Sequence, residues 1–236
     1  MGAESSLPGQ VWSRERRTPR RPALTVERIV EVCVAISDAE GLEALSMRRV
    51  AADLGTGTTS LYRHVAGRDE LIELMIDAVL GGDADPPLTG DWHADLATMA
   101  RGQRAARLSH PWLCAVLASR PALGPNSLRK MEHALATAGE LTSDITLAAD
   151  IVALIGDYVA GAVSRELSER EAQRRTGLTE EQWRSSMAPY IHKVVTSGAY
   201  PQFARRVVEA RDRSFDEQFE CGLACLLRGI AARASG

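Results

Sequence analysis

The chain has 236 residues, 28 Lys and Arg against 31 Asp and Glu, a net charge of -3 and 45% hydrophobic side chains. That balance fits one or two globular domains and excludes a fibre, a mucin-like stalk or a wholly disordered chain. At this length a folded chain buries roughly 70% of the surface its unfolded form exposes, so a core needs neither disulfides nor metal.

Residues 1–23 are rich in Arg, Pro, Ser and Gly, and between 14 and 21 five arginines, Arg14, Arg16, Arg17, Arg20 and Arg21, stand against the single acid Glu15. They read as a basic flexible arm. Two uses stay open for it: a solvated tail, or a segment whose Arg17, Arg20 and Arg21 reach into a minor groove of DNA. Thr25 is then placed to cap a first helix, with Ile29, Val32, Cys33, Ile36 and Ala39 at helical spacing until Gly41 stops it. Ser46 starts a second with Met47, Val50, Ala51 and Leu54, ended by Gly55. A short third helix runs from about Thr58 to Val65, and after Gly67 a fourth from about Arg68 to Leu80. The segment Gly81–Gly90, with Pro86 and Pro87, is the best domain boundary.

Beyond it every pattern is helical: about Trp92–Leu108, Pro111–Ala118, Ser127–Glu140, Asp144–Glu169, Glu180–Thr196, Gln202–Ala210 and Phe215–Ala234. The expected class is all-α, with a basic arm over 1–23, a three-helix helix-turn-helix domain within 24–80, and a larger helical domain over 91–236. The longest run without Asp, Glu, Lys or Arg, Leu108–Ser119, falls short of the ~20 apolar residues a membrane span needs. No membrane helix is therefore expected, and a polar start with no apolar h-region predicts a cytoplasmic chain. Cys33, Cys114, Cys221 and Cys225 each sit in an apolar helical pattern without a CxxC pair and read as reduced core residues.

The stretch Ser46–Val65, SMRRVAADLGTGTTSLYRHV, reads as two short helices joined by a glycine-containing turn. Val50 and Leu54, and Leu61 and Val65, each give a small apolar face for packing. The remaining residues, Thr58, Thr59, Ser60, Tyr62, Arg63 and His64, offer short hydroxyls, a phenol, a guanidinium and an imidazole, which suit base edges and phosphates. Between 46 and 68 the arginines 48, 49, 63 and 68 outnumber the one acid, Asp53. An ordinary helical hairpin with solvated charges has the same spacing, because this geometry is also a packing motif.

Residues 25–80 resemble the DNA-binding domain of TetR-family transcriptional regulators through Ala51, Ala52, Leu54, Gly55, Leu61, Tyr62, His64 and Val65, followed by Arg68, Glu70 and Leu71. The resemblance implies that Tyr62 and His64 contact phosphates and that Thr59, Ser60 and Arg63 face bases or backbone. It also implies that Arg48 reaches bases and that Arg68 anchors a phosphate. The second half resembles the subgroup with a tetracycline-repressor-type C-terminal domain, through His110-Pro111-Trp112, Gly124-Pro125-Asn126, Tyr200-Pro201-x-Phe203-Ala204 and Phe219-Glu220-x-Gly222-Leu223-x-x-Leu226-Leu227. That likeness implies an enclosed cavity whose small-molecule effector, an antibiotic or other secondary metabolite, changes the spacing of two reading heads and frees a palindromic operator.

Candidates for the effector site are Met99, Gln103, Trp112, Met131, Asp157, Tyr158, Met187 and Tyr190, which mix adaptable apolar surface with a few polar groups. The helix from Asp144 is apolar nearly all round, and with the last helix it can form a four-helix bundle in a homodimer. The five histidines are scattered and no P-loop, G-x-S-x-G or HExxH occurs, so no cofactor, metal site or enzyme activity is expected. Two readings remain: a ligand-gated dimeric repressor, and a helical small-molecule-binding or catalytic protein that keeps the helix-turn-helix only as scaffold.

Overall fold

The computed structural model describes residues 24–82, 84–117 and 122–234, and among them regular structure is helical throughout. The first four helices are α1 (Val26–Glu40), α2 (Met47–Asp53), α3 (Thr58–Leu61) and α4 (Arg68–Gly81). Thr25 Oγ1 accepts the Arg28 amide and Ser46 Oγ the Arg49 amide, each at 3.2 Å, so both expected caps close otherwise orphaned donors. Gly41 and Gly55 both take positive φ where the chain turns out of α1 and α2. A 3-10 turn at Leu42–Ala44, which the periodicity does not signal, bridges α1 and α2. Regular α3 is shorter than expected. It ends at Leu61, and Tyr62–His64 continue as a turn that still brings Val65 onto the same apolar side.

The second region comprises α5 (Trp92–Ser109), α6 (Leu113–Leu117), α7 (Pro125–Gly139), α8 (Ile145–Thr176), α9 (Glu180–Thr196), α10 (Pro201–Glu209) and α11 (Phe215–Ala234). α8 runs seven residues past the expected end, because 170–176 lack apolar period yet satisfy one another. Arg170 pairs with Glu166, Arg174 with Glu171, and Gln173 with Glu169, before Gly177 stops the helix in the left-handed region. The expectation that no helix could span a membrane needs correction. α8 contains an 18-residue stretch of mean hydropathy 1.6, since Asp150 and Asp157 interrupt its apolar runs without lowering their average much.

Two cores hold the chain. The first gathers Ile29, Cys33, Val50, Leu61, Val65, Leu71 and Met75 from α1–α4 and the segment after α3, and it also takes Trp112 and Leu113 from beyond the boundary. The second packs Leu96 and Ala100 of α5, Ala138 of α7, Ile151, Ile155, Val159 and Val163 of α8, and Phe219, Leu223 and Leu227 of α11. Neither α9 nor α10 buries a residue, and Trp183, Tyr190, Phe203 and Val208 stand exposed on them, as does Tyr200 just before α10.

Candidate nucleic-acid interface and effector domain

The buried Leu61 and Val65 seat α3 and the turn after it on the first core, which turns Thr58, Thr59, Tyr62, Arg63 and His64 outward; Ser60 is partly covered. Tyr62 is 55% exposed although it is aromatic. Arg48 lies exposed on neighbouring α2, and neither it nor Arg63 forms an ion pair among the described residues. Arg49 behaves differently. Its guanidinium takes both Glu40 oxygens, at 2.9 and 2.7 Å, and Asp53 at 3.1 Å, and these carboxylates raise its pKa further. The positive excess counted along the sequence therefore concentrates on Arg48 and Arg63, beside the exposed hydroxyls.

Arg68, the expected phosphate anchor, already has partners within the fold. Part-buried, it donates from Nε to the Leu45 carbonyl at 3.1 Å and from Nη2 to that of Leu42 at 3.0 Å. Those carbonyls lie at the start of the 3-10 turn and just after it, so the guanidinium fastens the start of α4 to the link between α1 and α2. Arg17, Arg20 and Arg21 lie outside the described residues.

Two carboxylates join the reading region to the second region. Asp38 of α1 meets His110 Nδ1 at 2.9 Å and accepts the Trp112 indole N–H at 2.7 Å. Asp77 of α4 accepts the backbone amides of Asn126 and Ser127, both at 2.9 Å, at the start of α7. The fit there is close: a Cβ on Gly124 would collide with the Asp77 carboxylate. Neither latch was read from the sequence. A signal existed for Asp77, a lone acid inside the apolar run Leu74, Met75, Ile76, Val79, since a carboxylate there needs a partner.

The effector candidates do not converge on one site. Trp112 is buried in the first core and engaged with Asp38, so it joins the regions rather than lining a cavity in the second. Tyr158 is tied down by its hydroxyl donating to the Phe219 carbonyl at 2.7 Å and by its ring stacking on Phe219. Met131 and Asp157 are exposed on α7 and α8, and Met187 and Tyr190 on α9. Met99 and Gln103 remain part-buried on α5. Two open clefts of about 390 and 510 Å³ instead lie between α9, α10 and the start of α11, both touched by Arg184, Arg206 and Gln218, and the second also reaches Ser164, Arg165, Ser168 and Glu169 of α8.

The cysteines divide as well. Cys33 is buried, and burial pushes its thiol up to about 11, while Cys114 is partly covered. Cys221 and Cys225 are exposed on α11, contrary to the core role expected of all four, because Phe219, Leu223 and Leu227 already fill its inner face.

Residues 86–234 match the family model described as "Tetracyclin repressor-like, C-terminal domain". The chain is 44% identical over 225 residues to the HTH-type transcriptional repressor DrrR1 of Streptomyces coeruleorubidus, covering 93% of this chain and 83% of that protein. It is 34% identical to an HTH-type transcriptional regulator of Saccharopolyspora erythraea, over 96% of this chain and 93% of that one. Among solved structures, the Streptomyces coelicolor TetR family protein ActR in complex with actinorhodin superposes with a TM-score of 0.73 at 34% identity, covering 89% of this chain and 97% of that one. A whole-length likeness of this degree, together with the exposed α2–α3 surface, shows that the chain belongs to the TetR family of helix-turn-helix, DNA-binding transcriptional regulators.

Proposed function

We propose that the chain is a cytoplasmic homodimeric repressor that holds a palindromic operator and lets go when a small-molecule effector binds its C-terminal domain. The observation that carries this reading is the division of arginines on the reading head. Arg49 and Arg68 are consumed by internal partners, while Arg48 and Arg63 stay free beside Thr58, Thr59, Tyr62 and His64. Arg48 reads bases, as a bidentate guanidinium can on guanine; Tyr62 and His64 hold phosphates and set the register.

Dimerisation uses α8 and α11. Their outer faces carry Ala153, Leu154, Asp157 and Gly161, and Cys221, Ala224, Cys225 and Arg228, all exposed in the single chain. Small residues allow close helix approach, and Asp157, which has no ion-pair partner among the described residues, is met by a basic group of the second subunit, for which Arg228 is suited. The likeness to ActR bound to actinorhodin supports the effector half, with an antibiotic or other secondary metabolite as the class. Asp38 and Asp77 carry the effector's displacement of α5–α7 to α1 and α4.

Genomic fragments selected by the full-length protein at physiological salt supply the test. Arg48→Ala should lose about 1–3 kcal/mol more on a selected fragment than on scrambled duplex, whereas Tyr62→Phe should weaken both alike. Equal losses on both duplexes for Arg48→Ala would remove it from base recognition.

A further inference from the structure

Met99, Gln103 and Arg107 stand four residues apart on α5, so they share one face, and each is part-buried. Arg104, on the same helix, shows what a covered guanidinium here ordinarily has. It is 15% exposed, pairs with Glu166 and Asp216, each at 2.7 Å, and lies 4.9 Å over the Phe219 ring. Arg107 has no carboxylate among the described residues. Its Nη1 reaches only the Gln103 carbonyl at 3.2 Å and the Gln103 side-chain oxygen at 3.3 Å, both neutral acceptors on its own helix. Burial holds Arg107 below the ordinary arginine pKa, yet a guanidinium stays charged at neutral pH. The ionisable neighbour acting on it is Cys114 of α6, and burial raises that thiol, so it stays neutral and supplies no counter-charge.

We propose that Arg107, with Gln103 one turn before it, receives an anionic oxygen of the effector, a carboxylate or an ionised phenol. This rests on the reading that the C-terminal domain takes an effector. A part-buried cation without a counterion is costly, and an anion arriving from outside removes that cost, so the site discriminates for charge as well as shape. Met99 on the same face gives the ring system of such a ligand a polarisable apolar surface. The placement also couples the site to the reading head. Arg107 lies one helical turn before His110, at the junction where His110 and Trp112 grip Asp38 of α1.

The experiment titrates the full-length protein with two fluorescent probes of the same ring system, anionic 8-anilinonaphthalene-1-sulfonate and uncharged N-phenyl-1-naphthylamine. Arg107→Gln should weaken the sulfonate about tenfold, Arg107→Lys should restore part of that loss, and the uncharged amine should bind all three within about twofold. Equal loss of both probes, or no loss of either, overturns the assignment. A second variant guards against misfolding. Arg107→Met replaces an unpartnered cation with an apolar side chain of similar length and should leave the melting temperature of the ligand-free protein unchanged or higher. A fall of several degrees would show Arg107 to be structural and would overturn the proposal. Operator binding by the wild type separates the two readings: charge-selective probe binding without any DNA binding would sink the repressor and keep the anion site.

Discussion

The reading head and the effector domain use arginine in opposite directions. In the head, two arginines are tied to acceptors of the same region, Arg49 to Glu40 and Asp53 and Arg68 to two carbonyls, while Arg48 and Arg63 face outward without an ion-pair partner among the described residues. In the effector domain, Arg101 and Arg104 of α5 are fully engaged with carboxylates of α8 and α11, and Arg107 is left part-buried with neutral acceptors alone. A guanidinium without a counter-charge is tolerable in water and expensive under cover. The outward pair fits a polyanion approached from solvent, and the inward one fits a small anion that must leave water to reach it.

The largest way to break this division is at the seam between the regions. Trp112→Ala empties a buried site of the first core and leaves Asp38 with His110 alone, and should cost about 3–5 kcal/mol in denaturant unfolding. A loss below about 1 kcal/mol would mean that the two regions do not share a core there. Asp77→Ala leaves the Asn126 and Ser127 amides without their acceptor and should cost about 2–3 kcal/mol, with α7 fraying first in hydrogen exchange. Uniform exchange across α7 and its neighbours would deny the latch. Arg68→Ala should cost about 1–2 kcal/mol of stability, chiefly by taking the guanidinium from the Leu45 carbonyl, since that of Leu42 still accepts the Leu45 amide, and the salt slope of DNA binding should not change. A phosphate contact would show the reverse, a slope reduced by about 0.9 with the melting temperature held.

Much of the head was legible because its signals are local. Caps at Thr25 and Ser46, stops at Gly41 and Gly55, and the paired apolar positions Leu61 and Val65 all act within one or two helical turns. The internal partners of Arg68 were not legible, because Leu42 and Leu45 lie more than twenty residues upstream, in a turn without apolar period. The effector domain was legible as helices and hardly at all as a site. Side-chain chemistry brought Met99, Trp112, Met187 and Tyr190 together on paper. Their real positions depend on which helix faces which core, a long-range property that places Trp112 in the first core and leaves Met187 and Tyr190 on an uncovered hairpin. Arg107 does not stand out in the sequence because an arginine near a helix end reads as solvated, and what marks it out is that no acid among the described residues pairs with it.

The most direct test is a hydroxyl-radical footprint of the full-length protein on a selected fragment. Two protected windows on one face of the duplex, centred about one helical turn or a small multiple apart and related by a dyad, are expected. Substituting both Arg48 and Arg63 with Ala should erase them while circular dichroism stays unchanged. A single window without symmetry, or two windows that survive the double substitution, would contradict the claim that paired copies of the α2–α3 surface read DNA.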